Sequence, residues 1–379
     1  MDNPVRQAQR LGQSIWYDNM RRGLLPSGEL QGLIDVGVTG LTSNPTIFEK
    51  AVAGSPDYDD AMLALSAAGA STQDAYEALV IDDIRAAADV LAPVYRLTGG
   101  RDGYASLEVS PALAHDTGGT VVEARRLFKA LGRPNAMIKV PATPEGIPAV
   151  RRLIGEGMNI NVTLIFSLDA YAQVREAYVA GLEDLQRSGG DVRKVASVAS
   201  FFVSRVDTAV DALLEKSIAA GHPEYRSLLG KAAIANARMA YQAFQDTYAT
   251  QRARALQAAG ARPQRPLWAS TGTKNPAYSD VLYVDSLIGE DTVNTMPPAT
   301  LTAYLDHGRA QASLQGYGAE AAQVLARIET AGVSMRQVTD RLLVDGVKAF
   351  AESFDSLLAN IERKKAALLQ KAKQTSTVD

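Results

Sequence analysis

The 379-residue sequence contains no cysteine and only three histidines, and both shortages narrow the chemistry that it can support. Without cysteine there are no disulfides, no thiolate nucleophile and no cysteine-ligated metal. His115, His222 and His307 are far apart in the chain and form no HExxH pattern, which argues against a histidine-rich metal site. We therefore expect no metal.

The chain also lacks a strong charge of one sign and a long apolar run. Its formal net charge is -3, whereas nucleic acids and membrane surfaces call for a basic patch, so we expect neither partner. The N-terminal segment MDNPVRQAQRLGQSIWYDN lacks the apolar core of a signal peptide, and no run approaches the length of a membrane span. A soluble cytoplasmic protein is the expectation.

Short β-rich runs do alternate with longer, alanine-rich helical stretches. The runs predict eight strands, near residues 14–19, 38–44, 104–110, 136–142, 159–166, 195–202, 266–270 and 292–296. Helices are predicted between them at 119–132, 146–157 and 167–190, each ending in glycine. Eight such units, without a glycine-rich dinucleotide fingerprint after the first strand, favour an α/β protein built as a closed (β/α)8 TIM barrel rather than an open sheet.

Two additions to a minimal barrel are predicted. Residues 206–265 have the pattern of two or three helices, which indicates a helical insertion. Residues from about 337 to 373 form one long helix whose apolar stripe should pack across the barrel. The stripe contains Leu342, Leu343, Val347, Phe350, Phe354, Leu357, Leu358 and Ile361. We expect a single domain over residues 1–373 and a disordered tail at 374–379.

Polar residues occur at or near the C-terminal ends of the predicted strands, where such barrels place their active sites. They are Asp18, Asn19, Ser43, Asn44, Glu108, Lys139, Asn161, Thr163, Ser200 and Ser270. Pointing inward, they would form a polar cup with one amine and two carboxylates. Single residues also have simpler explanations: Asn44 precedes Pro45 and could cap a helix. Asp18 could be a turn residue, and Glu108 could pair with Lys139 to satisfy a buried charge.

Lys139 lies in the apolar run NAMIKVPAT, between Ile138 and Val140. Its side chain could reach the surface along its methylene stem. Alternatively, the chain holds the amine away from water, which lowers the basicity of a lysine and makes it a nucleophile.

Six segments, in order along the chain, resemble the successive motifs of the transaldolase family, and specifically of its longer bacterial subfamily. They are GLTSNPTIFEKA, SLEVSP, AMIKVPAT, INVTLIFSLDAY, ASFFVSRVD and LWASTGTKNPAYSD. The resemblance extends from about residue 14 to 360. It implies a (β/α)8 barrel and a cofactor-free transfer of a dihydroxyacetone unit between sugar phosphates, in the non-oxidative pentose phosphate pathway.

The resemblance also implies roles for the polar cup. Lys139 matches the Schiff-base lysine, whose protonated imine accepts the electrons released when a carbon–carbon bond breaks. Asp18 resembles the general base that takes the C4 hydroxyl proton. Glu108 resembles the acid/base that moves protons through a water held with Thr163. Because a carboxylate favours a charged lysine, we expect Glu108 and Lys139 to titrate together.

Other matched positions would hold the substrate. Asn44 and Asn161 resemble the amides that bind the dihydroxyacetone hydroxyls, with help from Ser200. Phe202 stands where the related fructose 6-phosphate aldolases carry a tyrosine that helps place water, so an apolar ring should favour transfer over hydrolysis.

At the phosphate end, Arg205 resembles the family arginine and suits bidentate phosphate contact. Ser270 and Lys274 occupy the region where shorter family members use a serine and a second arginine. Here the spacing is longer and the cation is lysine, so Lys274 could instead be a solvated loop residue.

Three other functions stay open at this point. A simple aldolase would use the same imine, although Phe202 and Glu108 argue against it. A barrel glycosidase would use Asp18 and Glu108 as paired carboxylates but leave Lys139 unexplained. A barrel without activity would not need an intact cup. The expected partners are sugar phosphates, and we expect a monomer or a homodimer.

Overall fold

The computed structural model describes residues 2–375 and contains a closed barrel of parallel strands that pair in sequence order, with the eighth strand returning to the first. The strands are β1 (Gln13–Asp18), β2 (Gly40–Thr42), β3 (Tyr104–Glu108), β4 (Ala136–Pro141), β5 (Ile160–Ile165), β6 (Ser197–Phe202), β7 (Arg265–Ala269) and β8 (Thr292–Met296). The predicted (β/α)8 barrel is confirmed.

Helices follow or connect the strands. They are α1 (Pro4–Arg10), α2 (Glu29–Val36), α3 (Pro45–Gly54), α4 (Asp59–Ala67), α5 (Thr72–Leu97), α6 (Thr117–Leu131), α7 (Gly146–Gly155), α8 (Leu168–Arg187), α9 (Ser204–Ala219), α10 (Ala232–Ala249), α11 (Gln251–Ala258), α12 (Leu282–Ser286), α13 (Pro298–His307), α14 (Gly318–Thr330) and α15 (Met335–Thr375). Short 3₁₀ turns lie at Arg22–Leu24, Pro56–Tyr58, Pro111–Leu113, Val192–Lys194 and Pro223–Leu228. The region predicted to hold a helical insertion contains α10, α11 and most of α9.

Several predicted boundaries are wrong by a few residues, and local chemistry explains them. β2 ends at Thr42 because the side chain of Asn44 accepts a hydrogen bond from the Ile47 amide and caps α3. β7 ends at Ala269 because Ser270 has a φ of 57°, outside the extended region. α6 begins two residues early because the side chain of Asp116 caps it.

The amino-terminal end of the barrel is closed by a buried polar network. Arg265 Nη2 lies 3.0 Å from Asp102 Oδ1, and both side chains are almost fully buried. The Asp102 carboxylate also accepts hydrogen bonds from Ser14 Oγ at 2.7 Å and from Trp16 Nε1 at 2.9 Å. Because a Cβ at Gly40 would lie 2.6 Å from the Trp16 indole, only glycine allows this ring to fill the barrel.

The long C-terminal helix α15 packs across α3, α4, α5 and α9, as the apolar stripe predicts. Lys364 donates to the carbonyls of Val52 and Ser55 at the end of α3, and its ammonium lies 2.7 Å from Asp59 Oδ1. Of the tail predicted to be disordered, residues 374 and 375 continue α15, and residues 376–379 lie outside the described residues. Within residues 2–375, no helix is both long enough and apolar enough to span a bilayer.

Candidate active site

Strand register brings the central predicted residues side by side. Glu108 on β3 is paired with Lys139 on β4, and Lys139 is paired with Asn161 on β5. Paired residues on adjacent strands point to the same face of a sheet, so the three side chains share one layer inside the barrel.

Lys139 does not reach bulk solvent, because only 5% of the residue is exposed. Its Nζ donates a hydrogen bond of 2.8 Å to the carbonyl oxygen of Ser43 and lies 3.1 Å from Glu108 Oε2. The Ser43 hydroxyl in turn donates to the Ser106 carbonyl at 2.8 Å, which fixes the loop that follows β2. Of the two alternatives for Lys139, the geometry is that of a sequestered amine.

Glu108 and Thr163 carry buried oxygens without a directional hydrogen bond. Glu108 Oε2 contacts the lysine nitrogen at ion-pair distance without the alignment of a hydrogen bond, and Thr163 Oγ1 has no partner among residues 2–375. Burial raises the pKa of Glu108, and the Lys139 charge only partly offsets it. Such a carboxyl group holds a proton more readily than an exposed glutamate does.

Asp18 ends β1 on the other side of the amine. Its Oδ1 accepts a 2.7 Å hydrogen bond from Thr42 Oγ1. Burial raises the pKa of Asp18, while the charge of Lys139 and the Thr42 hydroxyl pull it back down. The site therefore holds two carboxyl groups of raised pKa around one amine.

A cavity of about 540 Å³ opens above these groups. Its wall contains Asp18, Asn19, Arg21, Thr42, Asn44, Thr46, Ile47, Lys50, Ala51, Lys139, Thr163, Ser200, Phe202, Arg205, Ala269, Ser270, Gly272, Lys274, Thr295, Pro297, Pro298 and Phe350. Glu108 and Asn161 are not on this wall. The volume falls within the range of small-molecule sites.

Asn161 lies behind the cavity wall and is fully buried. Its Oδ1 accepts from Ser200 Oγ at 2.7 Å, and its Nδ2 donates to Ser106 Oγ at 3.3 Å. In this arrangement Ser200 stands between Asn161 and the cavity. Asn44, in contrast, both caps α3 through Oδ1 and lines the cavity, so the helix-cap explanation and a binding role are compatible.

Phe202 and Arg205 form one side of the cavity. The Phe202 ring packs on Phe166 with 5.1 Å between ring centroids, and the Arg205 guanidinium lies 5.4 Å from the Phe202 centroid. Burial lowers the pKa of Arg205, and no carboxylate of residues 2–375 pairs with it. α15 passes close by, because a Cβ at Gly346 would lie 3.7 Å from Arg205 Nη1. An unpaired guanidinium in this position can take an anionic ligand.

Ser270 is held in a left-handed conformation by its neighbour Ser204. The Ser204 amide donates to the Ser270 carbonyl at 3.0 Å, and the two hydroxyls are 2.9 Å apart. Lys274 is exposed and lines the same cavity, and no ion pair within residues 2–375 involves it.

The sequence did not single out several residues of the cavity wall. Thr42 and Thr295 have hydroxyl groups 2.6 Å apart, beside Asp18. Lys50 and Phe350 also line the wall, and both lie in segments that the sequence had marked, a family-like motif and the apolar stripe of α15. Within residues 2–375, no cluster of three or more histidine or acidic side chains could hold a metal.

Comparison with known proteins gives a consistent result. A family model described as Transaldolase/Fructose-6-phosphate aldolase matches residues 15–361. A protein of Saccharopolyspora erythraea named Transaldolase is 50% identical over 352 residues, which cover 92% of this chain and 94% of the relative. The Transaldolase of Thiobacillus denitrificans is 50% identical over 360 residues, covering 95% and 99% of the two chains. That of Thermobifida fusca is 48% identical over 369 residues, covering 97% and 100%.

Proposed function

We propose that this chain, which belongs to the transaldolase/fructose-6-phosphate aldolase family, is a transaldolase that moves a dihydroxyacetone unit from a ketose phosphate to an aldose phosphate through an imine on Lys139. The observation that carries the proposal is the sequestered Lys139 nitrogen, 3.1 Å from Glu108 Oε2 at the floor of a polar cavity. The family assignment does not support a glycosidase, for which Lys139 would have no role.

The first stage joins lysine and ketose. The neutral Lys139 nitrogen attacks the ketose carbonyl, a nitrogen–carbon bond forms, and loss of water from the carbinolamine gives a protonated imine. Glu108, with its raised pKa, supplies and removes the protons of these steps through a water shared with Thr163. Transfer of the lysine proton to Glu108 would provide the neutral amine.

The second stage breaks and remakes a carbon–carbon bond. Asp18 takes the proton of the C4 hydroxyl, the C3–C4 bond breaks, and its electron pair moves to the imine nitrogen to give an enamine. The aldose leaves. The enamine then adds to the aldehyde of the acceptor, and Asp18 returns the proton to the new hydroxyl.

Substrate contacts are assigned by their place on the wall. Asn44 and Ser200 bind the dihydroxyacetone hydroxyls, and Asn161 supports them through its 2.7 Å contact with Ser200. Three groups at the other end bind the substrate phosphate: Arg205, Ser270 and Lys274. The unpaired state of Arg205 supports this part of the proposal.

Phe202 favours transfer over hydrolysis. Its ring packs on Phe166 and offers no hydroxyl to hold a water near the enamine. This separates the proposal from a simple aldolase. We propose sedoheptulose 7-phosphate and glyceraldehyde 3-phosphate as the substrate pair, fructose 6-phosphate as an alternative donor, a cytoplasmic location, a monomer or homodimer, and a single domain.

The test is chemical trapping. The protein is incubated with fructose 6-phosphate, reduced with borohydride and digested with trypsin. An adduct on Lys139 blocks cleavage there, and since Pro134 protects Arg133, residues 130–151 should appear as one peptide carrying the added mass. Lys139→Met should lose the adduct, and Lys216→Met, an exposed lysine of α9, should keep it.

Addition of an aldose phosphate acceptor then separates transfer from simple cleavage. A transaldolase forms the new ketose and releases little free dihydroxyacetone, whereas an aldolase releases it without an acceptor. Full transfer activity in Lys139→Met would refute the mechanism.

A further inference from the structure

Two threonine hydroxyls on the cavity wall form a series of hydrogen bonds that ends at Asp18. Thr42 Oγ1 lies 2.7 Å from Asp18 Oδ1 and 2.6 Å from Thr295 Oγ1. Thr42 is 2% exposed and Thr295 is 3% exposed, so bulk water does not compete for these contacts. The three residues come from β2, β1 and β8, which are adjacent strands of the barrel.

The donor and acceptor of each of these hydrogen bonds follow from the number of protons available. A hydroxyl carries one proton, and Thr42 donates its proton to Asp18 Oδ1, which accepts it in the ionised state that a general base requires. The proton in the contact between the two threonines must then belong to Thr295. A hydroxyl that accepts one hydrogen bond becomes a better donor, so Thr295 strengthens the charge-assisted bond from Thr42 to Asp18.

These hydrogen bonds also distinguish the two oxygens of Asp18. Thr42 occupies Oδ1, whereas no side-chain or backbone donor in residues 2–375 reaches Oδ2. Oδ2 is therefore the oxygen left for a substrate hydroxyl, and rotation of the carboxylate would break the bond to Thr42.

We infer that Thr295 is a positioning residue, which acts through Thr42 to keep the Asp18 carboxylate ionised and oriented before substrate binds. The inference rests on the proposed role of Asp18 as the general base. Thr295 touches neither the substrate nor the amine in this account, and its effect on the rate passes entirely through Thr42.

A purely structural explanation would have the threonines link β2 to β8 across β1. The pH dependence of the rate separates the two explanations, because a structural link has no reason to move it. Other charged groups also act on Asp18: Lys139 faces it across the cavity floor with Glu108 behind, and the wall carries Arg21, Lys50, Arg205 and Lys274. These groups are the same in every variant compared, so differences between the pH–rate profiles report on the hydrogen bonds from Thr295 to Thr42 and from Thr42 to Asp18.

The variants are Thr295→Val, which removes the hydroxyl but keeps the branched shape, and Thr295→Ser, which keeps the hydroxyl. Because Thr295 acts on Asp18 only by strengthening the bond from Thr42, its loss should move the acid limb of kcat/KM to higher pH by about 0.1 to 0.6 unit. We expect this shift in Thr295→Val and a profile close to wild type in Thr295→Ser. Thr42→Val, which removes the direct donor, should shift the limb further.

Borohydride trapping of the Lys139 adduct is measured in parallel, since imine formation precedes the step that uses Asp18. Wild-type protein that forms no adduct would overturn the proposed function itself. If the wild type forms the adduct but the profile of Thr295→Val coincides with that of the wild type, or Thr295→Ser behaves like Thr295→Val, the positioning role is overturned and the proposed function stands.

Discussion

The barrel contains a buried ion pair at each end, and the two pairs differ in one respect. Asp102 and Arg265 approach to 3.0 Å at the amino-terminal end, and Glu108 and Lys139 to 3.1 Å at the carboxyl-terminal end. All four side chains are 6 or 7% exposed. The Asp102 carboxylate, however, accepts two further hydrogen bonds from Ser14 and Trp16, whereas Glu108 Oε2 has no directional bond.

This difference shifts the pKa values of Asp102 and Glu108 in opposite directions. Burial pushes the pKa of Asp102 up, but the Arg265 charge and the bonds from Ser14 and Trp16 outweigh it, so the pKa lies below its usual value. Burial of Glu108 is not outweighed, and its pKa is raised. A fully satisfied pair holds its charges and fixes structure, whereas an incompletely satisfied pair can exchange protons.

The sharpest way to break this comparison is Glu108→Gln. An amide cannot transfer protons, so we expect the transfer rate to fall about 100- to 10,000-fold. Because Lys139 is left without its carboxylate partner, the free energy of unfolding should also fall, so the rate is expressed per folded molecule. Steady-state kinetics and urea denaturation measure the two effects. Glu215→Gln, an exposed position on α9, is the matched control. A rate within threefold of wild type would remove Glu108 from the mechanism.

Asp102→Asn should lower stability without lowering the rate. Removing one partner of a buried pair leaves Arg265 uncompensated, so the free energy of unfolding should fall by about 3 to 5 kcal/mol. The rate per folded molecule should stay near wild type. Since the pKa of Asp102 is lowered on folding, its contribution is present above the unfolded pKa and is lost as pH falls through the folded value. The difference between variant and wild type should therefore narrow in acid. Urea denaturation at pH 7 and at several pH values below 3.8 checks this. An unchanged unfolding free energy at pH 7 would mean that the pair is not structural.

A third buried carboxyl group, Asp207, sharpens the comparison because its partners are neutral. It accepts hydrogen bonds from the Ala233 amide at 2.7 Å and from the Tyr283 hydroxyl at 2.9 Å. Burial raises its pKa from 3.8 to about 6. Hydrogen bonds alone, without a cation, therefore do not offset burial here.

Since the folded pKa of Asp207 exceeds the unfolded one, its stabilising contribution is complete below about pH 4 and is lost as pH rises through about 6. This loss amounts to about 3 kcal/mol. Asn does not ionise, so the Asp207→Asn variant does not lose this stability as the pH rises. Its free energy of unfolding, relative to that of the wild type, should therefore increase between pH 4 and pH 7. Urea denaturation at several pH values measures the slope, and parallel curves for the two proteins would contradict the assignment.

The smallest expected effect concerns the support of the carboxyl-terminal end by α15. Lys364→Met removes the donor to the Val52 and Ser55 carbonyls and the ion pair with Asp59, and should lower the unfolding free energy by about 1 to 2 kcal/mol. Lys348→Met, which loses only an exposed pair with Glu352, should have almost no effect. Thermal denaturation compares them, and equal melting temperatures would mean that Lys364 contributes nothing to stability.

Much of this molecule was predictable because the responsible interactions are local. The barrel was predicted from the β-rich runs and from the glycines at helix ends. The helix that covers it was predicted from the apolar stripe of α15. Asp18 and Glu108 were predictable as neighbours of Lys139 because each ends a strand, and a closed parallel barrel brings such ends together. The strand ends at Thr42 and Ala269 were less predictable, since each depends on the conformation of one or two following residues.

The contacts that distinguish the two ion pairs were not predictable in the same way. Ser14 and Trp16, which distinguish Asp102 from Glu108, are 88 and 86 residues from Asp102 in the chain, and Thr42 and Thr295 are 253 apart. No periodic pattern or motif indicates these contacts. Likewise, Asn161 matched a binding position by sequence but lies behind Ser200, off the cavity wall.

By itself, the sequence determined the order of the strands and the chemical type of each side chain at their ends, because strand propensity and the apolar runs of buried strands depend on near neighbours. Only the tertiary structure decided which buried groups are satisfied and which are not. Hydrogen-bond satisfaction depends on tenths of an ångström between residues far apart in the chain, and closure of the barrel sets those distances.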